Sequence, residues 1–171
     1  MKRKLLFFLL LICSLTISAQ SSICGVPFGQ SYDFAKTLLQ NKFGKAEIEE
    51  NNELWYFERS YAEFSFGFIV FKFQSDITGN TYFNECFMGR KFKDVSLAKT
   101  FRNKIIAKLM KKYDDVEVYT DKNKFLGAHG GTSPVDEDKY GFDVFVVNDK
   151  ETKEYIVYLS YGPYNYANEE F

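Results

Sequence analysis

The chain has 171 residues, with 22 Lys and Arg against 23 Asp and Glu, one His, and an aromatic share of 19% made of 19 Phe, 12 Tyr and a single Trp. A formal charge of −1 lacks the basic excess on which general binding to nucleic acid or to a membrane surface depends, so no nucleic-acid partner is expected. The aromatic content points instead to a sheet-rich body of ordinary single-domain size.

In chain order, Lys2, Arg3 and Lys4 precede an apolar run from Leu5 to Ile12, and Ile17-Ser18-Ala19 precede Gln20. A charged start, a short apolar middle and a small residue at the cut read as a secretory signal peptide over residues 1–19. The run is too short to span a bilayer, and no later stretch suits a transmembrane segment. Cys13 follows Ile12 and Cys24 follows Ile23, where a lipid-attachment site needs a small residue, so an exported protein of the periplasm or extracellular space is expected. Cleavage would remove three basic residues and leave residues 20–171 as one mildly acidic domain. It would also leave Cys24 and Cys86 in an oxidising compartment, where a disulfide closing a loop of about 60 residues would contribute nominally ~4 kcal/mol. The alternative is two reduced thiols, Cys86 packed as a small hydrophobe.

Ser31 is placed to cap a helix running to Phe43, with Phe34, Ala35, Leu38, Leu39 and Phe43 on one side and Gly44 as the stop. Period-two patterning then predicts strands at Leu54 to Arg59, Ala62 to Gln74 and Thr81 to Gly89. In the middle strand Phe64, Phe66, Phe68 and Val70 share one face and Ile69, Phe71 and Phe73 the other, so it is expected to be central. A second helix from Val95 to Lys112, capped by Asp94, buries Ala98, Phe101, Ile105, Leu109 and Tyr113. Strands at Val116 to Thr120, Tyr140 to Asn148 and Tyr155 to Tyr161 follow, the last two joined in a hairpin around Asp149-Lys150-Glu151. The expected fold is therefore α+β, in the order α-βββ-α-βββ, with about six antiparallel strands and two helices on one face. A short echo of Phe34-Ala35-Lys36-Thr37 in Leu97-Ala98-Lys99-Thr100 suggests internal duplication.

The lead-in Gly25-Val26-Pro27-Phe28-Gly29-Gln30-Ser31-Tyr32, followed by a helix ending Lys42-Phe43-Gly44, resembles uncharacterised small secreted proteins of Gram-negative gut bacteria. More distantly, helical entry into an antiparallel sheet is similar to modules of beta-lactamase inhibitor protein and of the outer-membrane assembly lipoprotein of the BamE/SmpA type. The specific part covers about 20 residues, and the wider likeness is one of element order. The resemblance implies a protein-binding role without catalysis. The chain departs from the assembly lipoprotein in lacking a lipidated cysteine.

Four groups of residues invite a functional reading. His129, the only histidine, lies in Leu126-Gly127-Ala128-His129-Gly130-Gly131-Thr132-Ser133-Pro134, a run expected to be a loop; no second ligand or nucleophile stands at a meaningful spacing, so it reads as a loop residue. Asp136-Glu137-Asp138 lack the alternation of a calcium loop and read as solvated acids, as do Glu49-Glu50, Asp114-Asp115 and Glu169-Glu170. Lys104, Lys108 and Lys111 fall on one side of the second helix, a positive stripe suited to an anionic partner or simply a solvated face. Trp55, Tyr56, Tyr164 and Tyr166 are candidates for an aromatic platform that stacks on sugar rings or a peptide, with core packing as the plain alternative.

No catalytic set, metal site or cofactor motif emerges. The sequence therefore points to an exported, non-catalytic binding or interaction module with a protein or glycan partner. A small secreted hydrolase whose groups meet only in three dimensions, or an inhibitor of an extracellular enzyme, is the alternative.

Overall fold

Asn51 and Asn52, both at positive φ (52° and 59°), reverse the chain between the first two strands of a long sheet, and the apolar alternation beyond them carries it onward. The computed structural model describes residues 21–122, 124–136 and 138–166. The expected signal peptide, Glu137 and Glu169-Glu170 lie outside the described residues. A two-residue turn at Cys24-Gly25, with φ of 56° and 86°, joins β1 (Ser22–Ile23) to β2 (Val26–Pro27) in a small hairpin. Helix α1 (Tyr32–Phe43) follows, then β3 (Ile48–Glu50), β4 (Glu53–Tyr61), β5 (Phe64–Ser75) and β6 (Thr81–Phe92). Helix α2 (Val95–Met110) leads to β7 (Glu117–Thr120), β8 (Leu126–Thr132), β9 (Tyr140–Asp149) and β10 (Glu154–Tyr161).

Eight strands form one antiparallel sheet in the order β3-β4-β5-β6-β10-β9-β8-β7. Each helix is thus followed by a four-stranded meander, and the meanders join through their last strands, with Tyr155 opposite Phe92 and Tyr161 opposite Cys86. The edges fall to the two shortest strands of the sheet, β3 and β7, which limits the unpaired backbone open to another chain.

This overturns the expected α+β fold of about six strands: the described residues are mostly β, with an eight-stranded sheet, a second sheet of two strands and two helices among them. Besides the short β1 and β2, two strands of the main sheet escaped the pattern for different reasons. All three residues of β3 are exposed, so no apolar alternation marks it; what holds it is Glu49, which accepts from Tyr32 Oη at 2.7 Å and pairs with Lys36, both on α1. β8 occupies the Gly-rich run around His129 that was expected to be a loop. Its glycines answer a close approach, since a Cβ on Gly127 would stand 2.4 Å from the Tyr119 ring.

Both helices pack on one face of the sheet. Asp94 caps α2 by accepting from the Ser96 and Leu97 amides at 2.6 and 3.1 Å, and Ala98, Ile105 and Leu109 are buried beneath it. On α1, Ala35 and Leu39 are buried and Phe43 packs 5.3 Å from Tyr56, while Phe34 turns half its surface to solvent. The floor under the helices is a continuous cross-strand row, Tyr56-Ile69-Met88-Leu159-Val144-Ala128, in which every member is buried. Tyr56 is the one buried side chain among the described residues whose polar atom, its hydroxyl, finds no hydrogen-bond partner.

Cys24 and Cys86 are both buried, free thiols, so the expected bridge is not formed. Burial pushes the Cys24 thiol up to about 12 and Cys86 well above its ordinary range, with their mutual repulsion adding to the latter. Alkylating reagents at pH 8 should therefore label neither thiol in the native protein of residues 20–171 and both after denaturation, as read by intact mass. A disulfide-linked mass would contradict the free-thiol arrangement. Replacing Tyr56 with Phe removes a hydroxyl buried without a partner and should raise unfolding stability by about 1 kcal/mol in a denaturant titration.

Candidate functional site

Because side chains alternate across a strand, the register that buries one row commits its neighbours to the opposite, helix-free face. One such row crosses all eight strands as Ile48-Trp55-Val70-Phe87-Ser160-Asp143-His129-Glu117. Beside it runs Phe57-Phe68-Gly89-Tyr158-Phe145. The face is consequently divided, aromatic over β4, β5, β6 and β10 and polar over β8 and β7, with β9 giving Phe145 to the first and Asp143 to the second.

The aromatic half is a connected surface. Trp55 lies 6.2 Å from Phe57, 6.0 Å from Phe68 and 6.0 Å from Phe87, the last at 90°. Phe68 and Phe87 both meet Tyr158, at 5.9 and 6.3 Å, and Tyr158 stacks on Phe145 at 5.1 Å. Five strands, about 19 Å at ordinary strand spacing, are thereby bridged by rings. All six rings keep part of their surface exposed. Gly89 is required at the centre, since a Cβ there would fall 2.0 Å from the Phe68 ring that lies across it. Trp55, Phe57, Phe68, Ile156 and Tyr158 line an open groove of about 710 Å³ over Gly67, with Arg90 and Lys91 on its rim. At the far rim Lys72 stands 4.7 Å over Phe87 and 3.6 Å from both Glu53 and Glu85, while Trp55 Nε1 donates to Glu53 at 2.8 Å.

The polar half is built around His129, whose ring is held between Tyr119 at 5.1 Å and Tyr140 at 3.7 Å. Its Nε2 lies 3.3 Å from Glu117 Oε2, which also accepts from Tyr140 Oη at 3.1 Å. Tyr119 Oη donates to Asp143 at 2.8 Å. Burial raises the Asp143 carboxyl above its ordinary value of 3.8, against the lowering effects of the Tyr119 hydroxyl and of His129. A serine protease-like relay needs the histidine between nucleophile and acid, whereas here Asp143 stands between Ser160 and His129 in the row. The arrangement suits hydrogen bonding to a ligand better than proton transfer to a nucleophile. No group of three or more His, Cys, Asp or Glu among the described residues is arranged to hold a metal ion.

The platform anticipated from Trp55, Tyr56, Tyr164 and Tyr166 does not come together. Trp55 is on the helix-free face, and its neighbour Tyr56 points into the core. Tyr164 is buried edge-on to Phe28 at 4.5 Å, its hydroxyl donating to the Gly141 carbonyl, and Tyr166 packs over Gly29. The tail docks as core. Phe57, Phe68, Phe87, Phe145 and Tyr158 were missed as site residues, because period two assigns faces within a strand while only register reveals which strands' faces adjoin. His129 sits in a strand between two tyrosines and two carboxylates, not on a loop. Asp136 is engaged by Lys139 at 2.9 Å and by the Asp138 amide at 3.1 Å. Lys104 and Lys108 are exposed on α2 and Lys111 at its C-terminal cap, with Lys108 3.1 Å from Glu63.

No family model, no curated protein and no solved structure matches the chain, so the site is read from its own residues. Among the described residues no helix is long and apolar enough to cross a membrane.

Asp143 provides a readout of the polar half. Its protonated form is favoured in the folded state, so its contribution to stability is complete below the unfolded value near 3.8 and is lost as pH rises through its elevated folded value. Carboxyl-carbon NMR titration should place Asp143 above an ordinary aspartate, and Tyr119→Phe should move it higher still by removing the donor to the ionised form. An unshifted Asp143 would mean that this half of the face is wet and open.

Proposed function

We propose that this chain is an exported, non-catalytic binding module that engages a protein or glycan partner on the helix-free face of its sheet. The observation that carries the reading is the partly exposed aromatic stripe over five strands, with no covering helix among the described residues. Contiguous aromatic surface costs a monomer solubility, and its placement beside a hydrogen-bonding cluster suits a partner presenting both apolar and polar groups. Export is supported by the charged start and apolar run of the first nineteen residues.

A hydrolase centred on His129 finds less support, because both faces of the imidazole are covered by tyrosine rings and no serine or cysteine adjoins it in the row. An inhibitor of an extracellular enzyme differs from the preferred reading only in the identity of the partner.

Trp55 is the only tryptophan and sits in the stripe, so ligand binding there should shift its emission. Glycan and peptide arrays, together with capture from cell-envelope extracts, supply candidates for that assay. Trp55→Ala combined with Phe57→Ala should weaken any partner so found by about tenfold or more, the loss expected of aromatic anchors, while circular dichroism stays native. Undiminished binding by the double variant would sink the assignment to this face.

A further inference from the structure

Arg90 and Ser65 border the aromatic groove on one side and, on the other, a second groove of about 490 Å³ between α2 and the β4–β5 turn. This second groove is lined by Arg90, Lys104, Lys108 and Lys111 over an apolar floor of Phe64, Phe101 and Ala107. Its cations come from two elements: Lys104, Lys108 and Lys111 share one side of α2, and Arg90 reaches them from β6. The Arg90 guanidinium is already fixed, donating to the Ser65 carbonyl at 3.2 Å and lying 5.4 and 5.3 Å over the rings of Phe92 and Phe101. Glu63 is the one acid lining the groove, and it pairs with Lys108. Lys104, Lys111 and Arg90 have no acidic partner among the described residues. In a chain of net charge −1, four cations against one acid make this groove locally positive.

The same side of α2 turns apolar toward its N-terminus, where Leu97 is 60% exposed and Phe101 is half-buried. Cationic and apolar surface therefore adjoin along one stripe and one groove. We propose that this groove binds the phosphate-bearing headgroup of an anionic lipid, the lysines and Arg90 meeting the phosphate and the Leu97–Phe101 side meeting the apolar body. Charge complementarity carries the choice of ligand, and the apolar continuation favours a lipid over a free anion. The proposal is separate from the reading of the helix-free face and stands or falls without it.

The test is co-sedimentation of residues 20–171 with vesicles of phosphatidylcholine containing phosphatidylglycerol, against vesicles of phosphatidylcholine alone. Binding is expected only to the anionic vesicles and should be suppressed by high salt. Lys104→Gln with Lys111→Gln should weaken it about thirtyfold. Lys42→Gln with Lys45→Gln, which removes the same charge at the end of α1, should leave it within a few-fold of the parent, and so should Trp55→Ala. Equal weakening by the two lysine pairs would reduce the effect to net charge and overturn the site. Loss of binding in Trp55→Ala would move the contact to the sheet face and overturn it as well. No binding to anionic vesicles, with or without calorimetric binding of inorganic phosphate, would overturn the lipid assignment.

Discussion

The register of the eight-stranded sheet, locked by burial of the row Tyr56-Ile69-Met88-Leu159-Val144-Ala128 beneath two helices, is the constraint on which the rest of the molecule depends. Each fully buried aliphatic side chain in that row contributes about 1.5–3 kcal/mol of apolar transfer, and a slip of one residue would turn the set outward. The same register aligns the helix-free rows. The aromatic stripe and the His129 cluster are consequences of a core that permits only one alignment of the strands.

The junction of β6 and β10 matters most for this alignment, because it joins strands far apart in the chain. Met88 opposite Leu159 extends the core row across it, and Gly89 opposite Tyr158 extends the aromatic row. Gly89 serves both: without a Cβ it lets the Phe68 ring lie across β6 and reach Tyr158. The stripe is therefore made by two separate meanders, with Trp55, Phe57, Phe68 and Phe87 from the first and Phe145 and Tyr158 from the second. Neither meander would present it alone.

The division of the helix-free face has an electrostatic logic. Over the first meander, ring edges and faces satisfy one another, and charges such as Lys72, Glu53 and Glu85 are kept at the rim where water screens them. Over the second, the Asp143 carboxylate is brought into a partly dry setting and is met by the Tyr119 hydroxyl, while Glu117, exposed on the edge strand, accepts from Tyr140. The basic groove beside α2 is a third chemical environment, set apart from both by Arg90, whose guanidinium is held by ring faces instead of a carboxylate.

Much of the local structure was legible in the residues themselves. Ser31 and Asp94 marked the helix starts, Gly44 a stop, and period-two patterning found β4, β5, β6, β7, β9 and β10, because these features depend on neighbours one to four positions away. β3 was hidden because its three exposed residues carry no alternation and it is tied down through Glu49 to α1. β8 was hidden because glycines that read as loop are the residues that let Tyr119 and Phe142 close over a strand. The platform proposed from Trp55, Tyr56, Tyr164 and Tyr166 mixed two opposite faces and a docked tail. What the sequence by itself determined was the place of most elements and the buried side of their regular stretches, since alternation and helical phase are local; Phe64 and Phe66, expected on one face with Phe68, instead meet Phe101 of α2, and Phe34, expected inward, is half exposed. Which sides adjoin was decided only by the tertiary structure, because the register between β6 and β10, and the approach of Arg90 to the lysines of α2, follow from packing between segments that no short-range pattern connects.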